Sequence, residues 1–371
     1  MRFWTAPLAV MLQCGLGCAP ASTRLYISPG ATIVREARAV GGSDVLEIEA
    51  LAGQTLLLGL NNGPEYVEYL GERSGKGGLR VLPPGGSESR ALPSRGREDS
   101  DYGTWINVLP KTGVYHVLVQ WSSSKPYLLR ITLMDRHDPR LDPGITVERV
   151  SIDWSALGAP ATLTLRPFEP MISGTVDDFW PAHLAAVTSS FQFRIMALDG
   201  IKKMQLGGTE WLQGISRLES ALRAREEVAT PDLLPLSGYQ DAALYFWGQQ
   251  ERLEGKAWSG LRWIGWYSQG GLGDTADPIP LNYVFEAVSR DGRYFIMMFA
   301  NVEYRNPPGE LLRMVRDPSQ LDGSNPSPKA YEEQLHALQP KVRRYLNEAE
   351  PSSFRPSVRG LDALARSIEL K

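Results

Sequence analysis

Cysteine is almost absent from this sequence, since its two copies, Cys14 and Cys18, both fall near the start of the chain. A mature chain with at most one thiol has no disulfide framework, no cysteine-based zinc site and no internal redox pair. Histidine is scarce as well, and its copies are never at metal-ligand spacing; they are His116, His137, His183 and His336. The sequence therefore predicts no metal centre and no cofactor.

Clusters of positive charge and long apolar runs are also missing. No run of Lys or Arg exceeds two residues and the formal net charge is −3, so no nucleic-acid partner is predicted. No apolar stretch approaches the ~20 residues that cross a bilayer, so an integral membrane protein is not predicted. The sequence does have 371 residues, 43% of them hydrophobic, with 36 glycines and 27 prolines. This length and composition predict a folded, turn-rich chain of two domains.

Residues 1–21 resemble an export signal, because Arg2 precedes an apolar run from Ala6 to Leu12 and small residues follow. Within them, Gly15-Leu16-Gly17-Cys18 resembles the bacterial lipobox, although Gly15 stands where that motif usually has leucine. The resemblance implies cleavage before Cys18, diacylation of this cysteine and a lipid anchor in the bacterial envelope, on the outer membrane or facing the periplasm. The alternative is cleavage after Ala19-Pro20-Ala21, which would give a periplasmic or secreted protein.

In residues 24–136, short apolar segments separated by turn residues predict an all-β sandwich of the jelly-roll type. The alternation of apolar and other residues from Tyr127 to Leu133 is typical of a half-buried strand. Two segments, Ala52-Gly53-Gln54-Thr55-Leu56 and Leu109-Pro110-Lys111-Thr112-Gly113-Val114-Tyr115, resemble the bacterial pre-peptidase C-terminal type of β-sandwich. That resemblance implies an accessory module of an exported protein, without catalysis. Residues 137–144 are polar, contain two prolines and are predicted to form a solvated linker.

Residues 145–371 predict an α+β domain, in which helices pack on an antiparallel sheet. The strongest pattern is Asp291-Gly292 between two apolar runs, which is typical of a type I′ hairpin turn. The arm from Tyr294 to Phe299 is apolar on both sides, as expected of a central strand. Apolar spacing predicts an amphipathic helix from Trp211 to Glu227, and Pro340 interrupts a later helical stripe, which predicts a kink or two short helices.

The element order of this second domain is similar to the PsbP-like arrangement. Several of its segments resemble an uncharacterised family of bacterial exported proteins and lipoproteins, some of which also carry a sandwich of the type above. These segments are Leu234-Pro235-Leu236, Gly260-Leu261-Arg262-Trp263, Pro278-Ile279-Pro280-Leu281-Asn282, Asp291-Gly292-Arg293-Tyr294 and Phe354-Arg355-Pro356. No catalytic residues are assigned in that family, so the resemblance implies a fold and a compartment but no reaction.

Carboxylates are the candidates for catalysis. Asp177-Asp178 beside His183 could act as a paired acid and base, and Glu251 and Glu254 near Trp258 could serve a glycosidase. Two adjacent acids at a turn are more often simply solvated. No nucleophile elbow, His-Glu-x-x-His motif or phosphate-binding loop accompanies them.

Aromatic residues are the candidates for binding. Five tryptophans fall between Trp211 and Trp266, and strand spacing puts Trp263 and Tyr267 on one face and Trp266 on the other. Such a strand is either buried on both sides, as core packing favours, or presents one face to a sugar or an apolar peptide. The candidate ligand-binding residues are Trp258, Trp263, Trp266 and Tyr267.

Together these patterns predict a non-catalytic cell-envelope lipoprotein that binds or scaffolds. Its membrane contact is the lipid on Cys18, and its partner is an envelope polymer or another protein. The alternative is a hydrolase that cuts an envelope polymer, glycan or peptide, through paired carboxylates.

Overall fold

The computed structural model describes residues 22–37, 43–61, 78–94, 103–120, 127–157, 163–172, 179–204, 208–225, 243–268, 279–316 and 328–371. The predicted leader, residues 1–21, lies outside these ranges. The first eight strands form two four-stranded sheets, ordered β1-β3-β7-β5 and β2-β8-β4-β6. They are β1 (Thr23–Leu25), β2 (Thr32–Ala37), β3 (Ser43–Ala50), β4 (Thr55–Asn61), β5 (Gly78–Leu82), β6 (Gly103–Val108), β7 (Gly113–Gln120) and β8 (Tyr127–Met134). The β-rich fold predicted for this region is confirmed.

Strand β8 shows how the sequence fills the space between these two sheets. Its odd-numbered residues from Tyr127 to Leu133 are buried in an apolar core with residues such as Leu46 and Val117 of the opposite sheet. The other face of β8 is buried too, since Arg130 is 2% exposed and Thr132 is fully covered. The prediction of a half-buried strand is therefore wrong for this outer face.

The outer face is covered because the second half of the chain packs on it. Leu57, Ile106 and Met134 of this sheet share one apolar cluster with Trp180 and Met196 of the second half. Because this shared surface is buried, the sandwich and the sheet of the second half pack against each other as neighbouring layers.

The second half is built around an eight-stranded antiparallel sheet. Its central path runs β10-β13-β14-β18-β17-β16-β15, with β19 paired to β18. The elements are β9 (Val150–Ser151), β10 (Arg166–Phe168), β11 (Met171–Ile172), β12 (Phe179–Trp180), β13 (His183–Val187), β14 (Phe191–Ala197), α1 (Leu198–Lys202), α2 (Gly208–Ala224), β15 (Ala243–Glu254), β16 (Trp258–Ser268), β17 (Ile279–Ser289), β18 (Tyr294–Tyr304), α3 (Gly309–Arg316), α4 (Pro328–Glu348), β19 (Phe354–Arg355), α5 (Val358–Arg366) and β20 (Glu369–Leu370).

The hairpin of β17 and β18 lies at the centre of this sheet. Gly292 in its turn has φ +68°, a left-handed conformation that suits glycine, and Phe285 pairs with Met298 across the ladder. Asp291 does not have a positive φ, and the amide of Gly292 donates to the carbonyl of Ser289 at 2.9 Å, so the hairpin is observed but the predicted type I′ geometry is wrong. Every side chain from Tyr294 to Ala300 is buried, so the expectation of a central strand is confirmed.

Helices cover both faces of the sheet. Ile215, Leu218 and Leu222 of α2 pack on the face that also meets the sandwich. Leu338 and Val342 of α4 and several residues of α5 pack on the opposite face. A single helix runs through Pro340, so the alternative of two short helices is not observed.

The chain closes with a contact between distant parts of the sequence. Strand β20 pairs with β9, which brings Glu369 opposite Ser151. The amide of Lys371 also donates to the carbonyl of Arg149 at 2.8 Å. These bonds fasten the C-terminal residues to the start of the second half.

The predicted linker, residues 137–144, is solvated only in part, because exposed residues such as Asp142 alternate with buried ones. A 3₁₀ turn at Pro139–Leu141 places Arg140 in the interior, with 1% of its surface exposed. Its guanidinium donates from Nε and Nη2 to Asp138 at 2.9 and 2.7 Å, and from Nη2 to the carbonyl of Gly30 at 3.0 Å. Burial alone would raise the pKa of Asp138, but bonds and charge from Arg140 outweigh it and lower the pKa. The division into domains at this segment stays a prediction.

Candidate functional site

The four aromatic side chains predicted to bind a ligand are divided between the two faces of β16. Trp263 and Tyr267 face α2, whereas Trp258 and Trp266 belong to the core on the side of α4 and α5. Trp258 and Trp263 are fully buried and Trp266 is 4% exposed. These tryptophans therefore pack in the core and do not form an open stacking platform, which corrects the predicted ligand face. The adjoining insert, residues 269–278, lies outside the described residues.

The polar atoms of the two fully buried indoles are satisfied inside the protein. Nε1 of Trp258 donates to the carbonyl of Ile368 at 2.9 Å, and Nε1 of Trp263 donates to the hydroxyl of Tyr267 at 3.3 Å. The Trp258 ring also meets the ring of Phe285 edge-on, with centroids 5.1 Å apart. Each of these contacts fixes a ring in place, as core tryptophans require.

Glu251 and Glu254, the candidate glycosidase acids, do not converge. Glu251 turns towards α5. It accepts hydrogen bonds from Arg262 of β16 at 2.7 Å and from Arg366 of α5 at 2.8 Å. Glu254 accepts hydrogen bonds from Nε of Arg252 at 2.6 Å and from Nη2 of Arg290 at 2.8 Å. Arg252 also donates to the carbonyl of Leu222 in α2, so the two carboxylates serve opposite faces of the sheet.

The electrostatics of Glu254 also argue against acid catalysis. Burial alone would raise its pKa, but hydrogen bonds from Ser259 and Arg252 and the charges of Arg252 and Arg290 lower it below the ordinary value. A general acid at neutral pH needs a raised pKa. Asp177 and Asp178, the other candidate pair, lie outside the described residues.

His183 is enclosed and cannot serve an exposed site. Its Nδ1 donates to the carbonyl of Pro181 at 2.8 Å, which leaves Nε2 to accept from Arg194 at 2.8 Å. Phe168 stacks on the imidazole at 5.4 Å, and Arg194 lies over the ring of Trp180 at 4.5 Å. Burial, and then the charge of Arg194, lower the pKa of His183 to about 3. The side chain is thus a neutral core histidine at physiological pH.

A buried polar network joins the sheet to α5. Asp362, 5% exposed, accepts from the hydroxyl of Tyr283 at 2.9 Å and from Nε of Arg262 at 3.1 Å. Burial raises the pKa of Asp362, and the charge of Arg262 opposes that rise. Because Arg262 also binds Glu251, the network extends from the core to the surface. The side chains of this network bind one another, and through Asp362 they hold α5 in position on the sheet.

A cleft of about 430 Å³ opens where the sandwich meets the second half of the chain. Its apolar lining comes from Ile106, Val108 and Leu141, and Arg136 and Glu169 bring opposite charges. Val108 is 40% exposed, and Leu51, in the turn that leads to the cleft, is 57% exposed. The remaining lining residues are Gly53, Thr55 and Asn107. A volume of this size matches small-molecule or peptide sites, which are mostly apolar with a few polar groups.

The Ala52-Gly53-Gln54-Thr55 segment builds one wall of this cleft. Gly53 has φ +87°, which a turn residue with a side chain would adopt only with strain. Buried Gln54 accepts from the amide of Leu51 at 2.8 Å and donates to Asp135 at 2.9 Å. The segment therefore ties the sandwich turn to the start of residues 135–144.

No local pattern in the sequence indicates this cleft, because its lining residues are far apart along the chain. Arg136 is the last residue of the predicted sandwich, and Glu169 belongs to no pattern in the sequence. The turn at Gly53 was the only available indication, through the resemblance of its segment to an exported sandwich.

In the described part of the chain, no group of three or more His, Cys, Asp or Glu residues could hold a metal ion. No helix in these ranges is long and apolar enough to cross a membrane.

No protein-family model matches the sequence, and no curated protein matches it. Among solved structures, the periplasmic inhibitor of g-type lysozyme from Aeromonas hydrophila is similar at 21% identity and TM-score 0.22, over 31% of this chain and 100% of the inhibitor. The pre-peptidase C-terminal domain of a Bacillus anthracis collagenase is similar at 12% identity and TM-score 0.22, over 32% of this chain and 98% of that domain. A Bacillus licheniformis lipase in its propeptide form is similar at 8% identity and TM-score 0.20, over 74% of this chain and 41% of the lipase.

Proposed function

We propose that this protein is a non-catalytic bacterial cell-envelope protein, exported and anchored by lipid on Cys18, that binds an envelope polymer or a protein partner. The observation that supports it is the cleft, where Ile106, Val108 and Leu141 lie beside the opposite charges of Arg136 and Glu169. The described candidate acids support a binding role as well, because arginines hold them on opposite faces of the sheet.

The cleft suits recognition by side chains. Strand β6 is the edge of its sheet, and such an edge could in principle accept another strand. Here residues 92–94 cover that edge, since Asn107 donates to the carbonyl of Pro93 at 2.7 Å and the amide of Ile106 donates to Ser94 at 3.4 Å. A partner would therefore seat an apolar group between Val108 and Leu141 and meet the two charges beside it.

Photo-crosslinking in cells tests this assignment. A photoreactive amino acid replaces Val108 in the cleft, and the matched control replaces Val187, which is similarly exposed at 37% on strand β13. We expect a discrete adduct from Val108 that a second substitution, Leu141→Arg, abolishes. Equal adducts from both positions, or none from Val108, would refute a binding role for the cleft.

The alternative function, a hydrolase of envelope polymer, is tested with purified protein and isolated peptidoglycan. Release of soluble fragments is measured for the wild type and for Glu251→Gln and Glu254→Gln. We expect no release by any of the three. If the wild type releases soluble fragments and either variant releases fewer, the protein is a hydrolase instead.

The anchor is tested by mass and by fractionation. We expect the native protein to carry the mass of acyl chains at its N-terminus and to sediment with membranes. The Cys18→Ala protein should lose both properties. An unmodified native protein that starts at Ser22 would reject the lipoprotein assignment.

A further inference from the structure

We infer that the cleft binds a short peptide that carries both a positive and a negative group, with an apolar side chain between them. The cleft presents the opposite charges of Arg136 and Glu169 beside the apolar lining of Ile106, Val108 and Leu141. This choice of ligand rests on the proposed binding role of the cleft, which it makes more specific.

The two charges of the cleft do not neutralise each other. Arg136 and Glu169 are both exposed, and among the described residues neither side chain has an ion-pair or hydrogen-bond partner. They come from separate segments, since Arg136 follows β8 and Glu169 lies between β10 and β11. A guanidinium suits a carboxylate, with which it forms two parallel hydrogen bonds, and a glutamate suits an ammonium group. A ligand with both groups would therefore satisfy both residues, whereas a ligand with one charge satisfies only one of them.

The lining between these charges suits an aliphatic side chain. Thr55 and Ile106 are buried, at 5% and 2% exposure, while Val108 at the rim is 40% exposed. At Gly53, which also lines the cleft, an added Cβ would meet no atom within 4 Å, so space remains there. An aliphatic group of the ligand would cover Val108 and leave water at the same time, which favours binding.

The segments that carry the two charges are held in place within the protein. Gln54 donates to the side chain of Asp135, the residue before Arg136, at 2.9 Å. The amide of Asp138 then donates to the carbonyl of Asp135 at 2.9 Å, which closes a turn around Arg136. Glu169 directly follows β10, which is paired with β13. A site whose backbone is already ordered loses little conformational freedom when a ligand binds.

Other classes of ligand match this set of groups less well. A neutral glycan would use neither charge, and none of the described lining residues is an aromatic on which a sugar could stack. A headgroup such as phosphoethanolamine carries both charges but has no side chain for the apolar lining. A peptide supplies the cation, the anion and the apolar side chain together.

Ligand-observed NMR titration of the purified protein tests this ligand class by measuring dissociation constants. The probes are Ala-Leu and Ala-Leu-Ala with free ends, whose terminal charges are about 7 and 10 Å apart in an extended chain. Each peptide is also used with an acetylated N-terminus, which removes the cation, and with an amidated C-terminus, which removes the anion. The test variants are Arg136→Gln and Glu169→Gln, and Arg359→Gln, at another exposed arginine on α5, is the matched control.

We expect the tighter-binding free peptide to lose affinity about two- to fivefold on acetylation and again on amidation, as for ion pairs near a surface. In Glu169→Gln the loss on acetylation should vanish while the loss on amidation persists, and Arg136→Gln should show the reverse. Arg359→Gln should behave as the wild type. Equal affinity for all forms of the peptide, or losses that are unchanged in both test variants, would overturn the peptide ligand. Tighter binding of chitotetraose or phosphoethanolamine than of either peptide would overturn it as well.

Photo-crosslinking at Val108 separates the two ways in which this can fail. A discrete adduct at Val108 without binding of any peptide would overturn the ligand class and leave the binding role of the cleft in place. Absence of both the adduct and peptide binding would overturn the two together.

Discussion

Replacement of Asp138 by Asn should destabilise the protein strongly, although the side chains have nearly the same shape. Arg140 is almost completely buried, and Asp138 binds its guanidinium through both carboxylate oxygens. The carbonyl of Gly30 is one of the partners that remain, and it carries no charge. Removal of one member of a buried ion pair typically costs about 3–5 kcal/mol, because the remaining charge stays in a medium of low polarity. We expect a loss in this range for Asp138→Asn.

Urea unfolding followed by tryptophan fluorescence measures this loss. Glu348→Gln is the matched control, because the Glu348–Arg344 pair is largely exposed and should change stability by less than about 1 kcal/mol. The double variant Asp138→Asn with Arg140→Met should recover much of the loss, since it removes the buried charge as well. A loss below about 1 kcal/mol in Asp138→Asn, or no recovery in the double variant, would refute the argument.

Three further predictions follow from the core of the second half. Trp258→Ala should lose about 3–5 kcal/mol in urea unfolding, because it removes a fully buried ring, and a loss below 1 kcal/mol would contradict core packing. Asp362→Asn should lose about 2–3 kcal/mol, because Arg262 would keep only Glu251 as its carboxylate partner, and an unchanged midpoint would contradict this. His183 has a folded pKa of about 3 and an unfolded pKa of about 6.5, so unfolding takes up a proton between these values and stability falls as pH drops through this window. The fall is at most about 1.4 kcal/mol per pH unit, and His183→Gln should show a correspondingly shallower decline between pH 6 and 4; equal slopes would contradict the prediction.

Local patterns in the sequence predicted much of the sheet. Asp291-Gly292 identified the central hairpin because its turn needs a left-handed residue, and Gly292 supplies it. The two-residue period of a strand correctly put Trp263 with Tyr267 and apart from Trp266. These features depend on neighbours in the chain, which the sequence displays directly.

Features that depend on distant contacts were not visible in the same way. Arg130 and Thr132 have the composition of a solvated strand face, yet they are buried in a sheet whose residues Leu57, Ile106 and Met134 share an apolar cluster with the second half. The polar sequence around Arg140 predicts a solvated linker, because its ion pair with Asp138 and its bond to Gly30 form only in the folded turn. The cleft lies beyond the reach of local patterns for the same reason, since its lining joins residues from 53 to 169.

The contact between β9 and β20 has a consequence for how the molecule assembles. Ser151 meets Glu369 across more than 200 residues of chain, and Trp258 meets the carbonyl of Ile368 across 110. Pairings of such long range close large loops at an entropic cost before they gain stability, so they form late and slowly. While the chain is still emerging, β9 lacks its partner β20 and the eight-stranded sheet lacks the cover of α5, so the apolar surface around Trp258 stays open. The interval between synthesis and closure is therefore the period in which this chain can still be held unfolded by a chaperone or, equally, can aggregate.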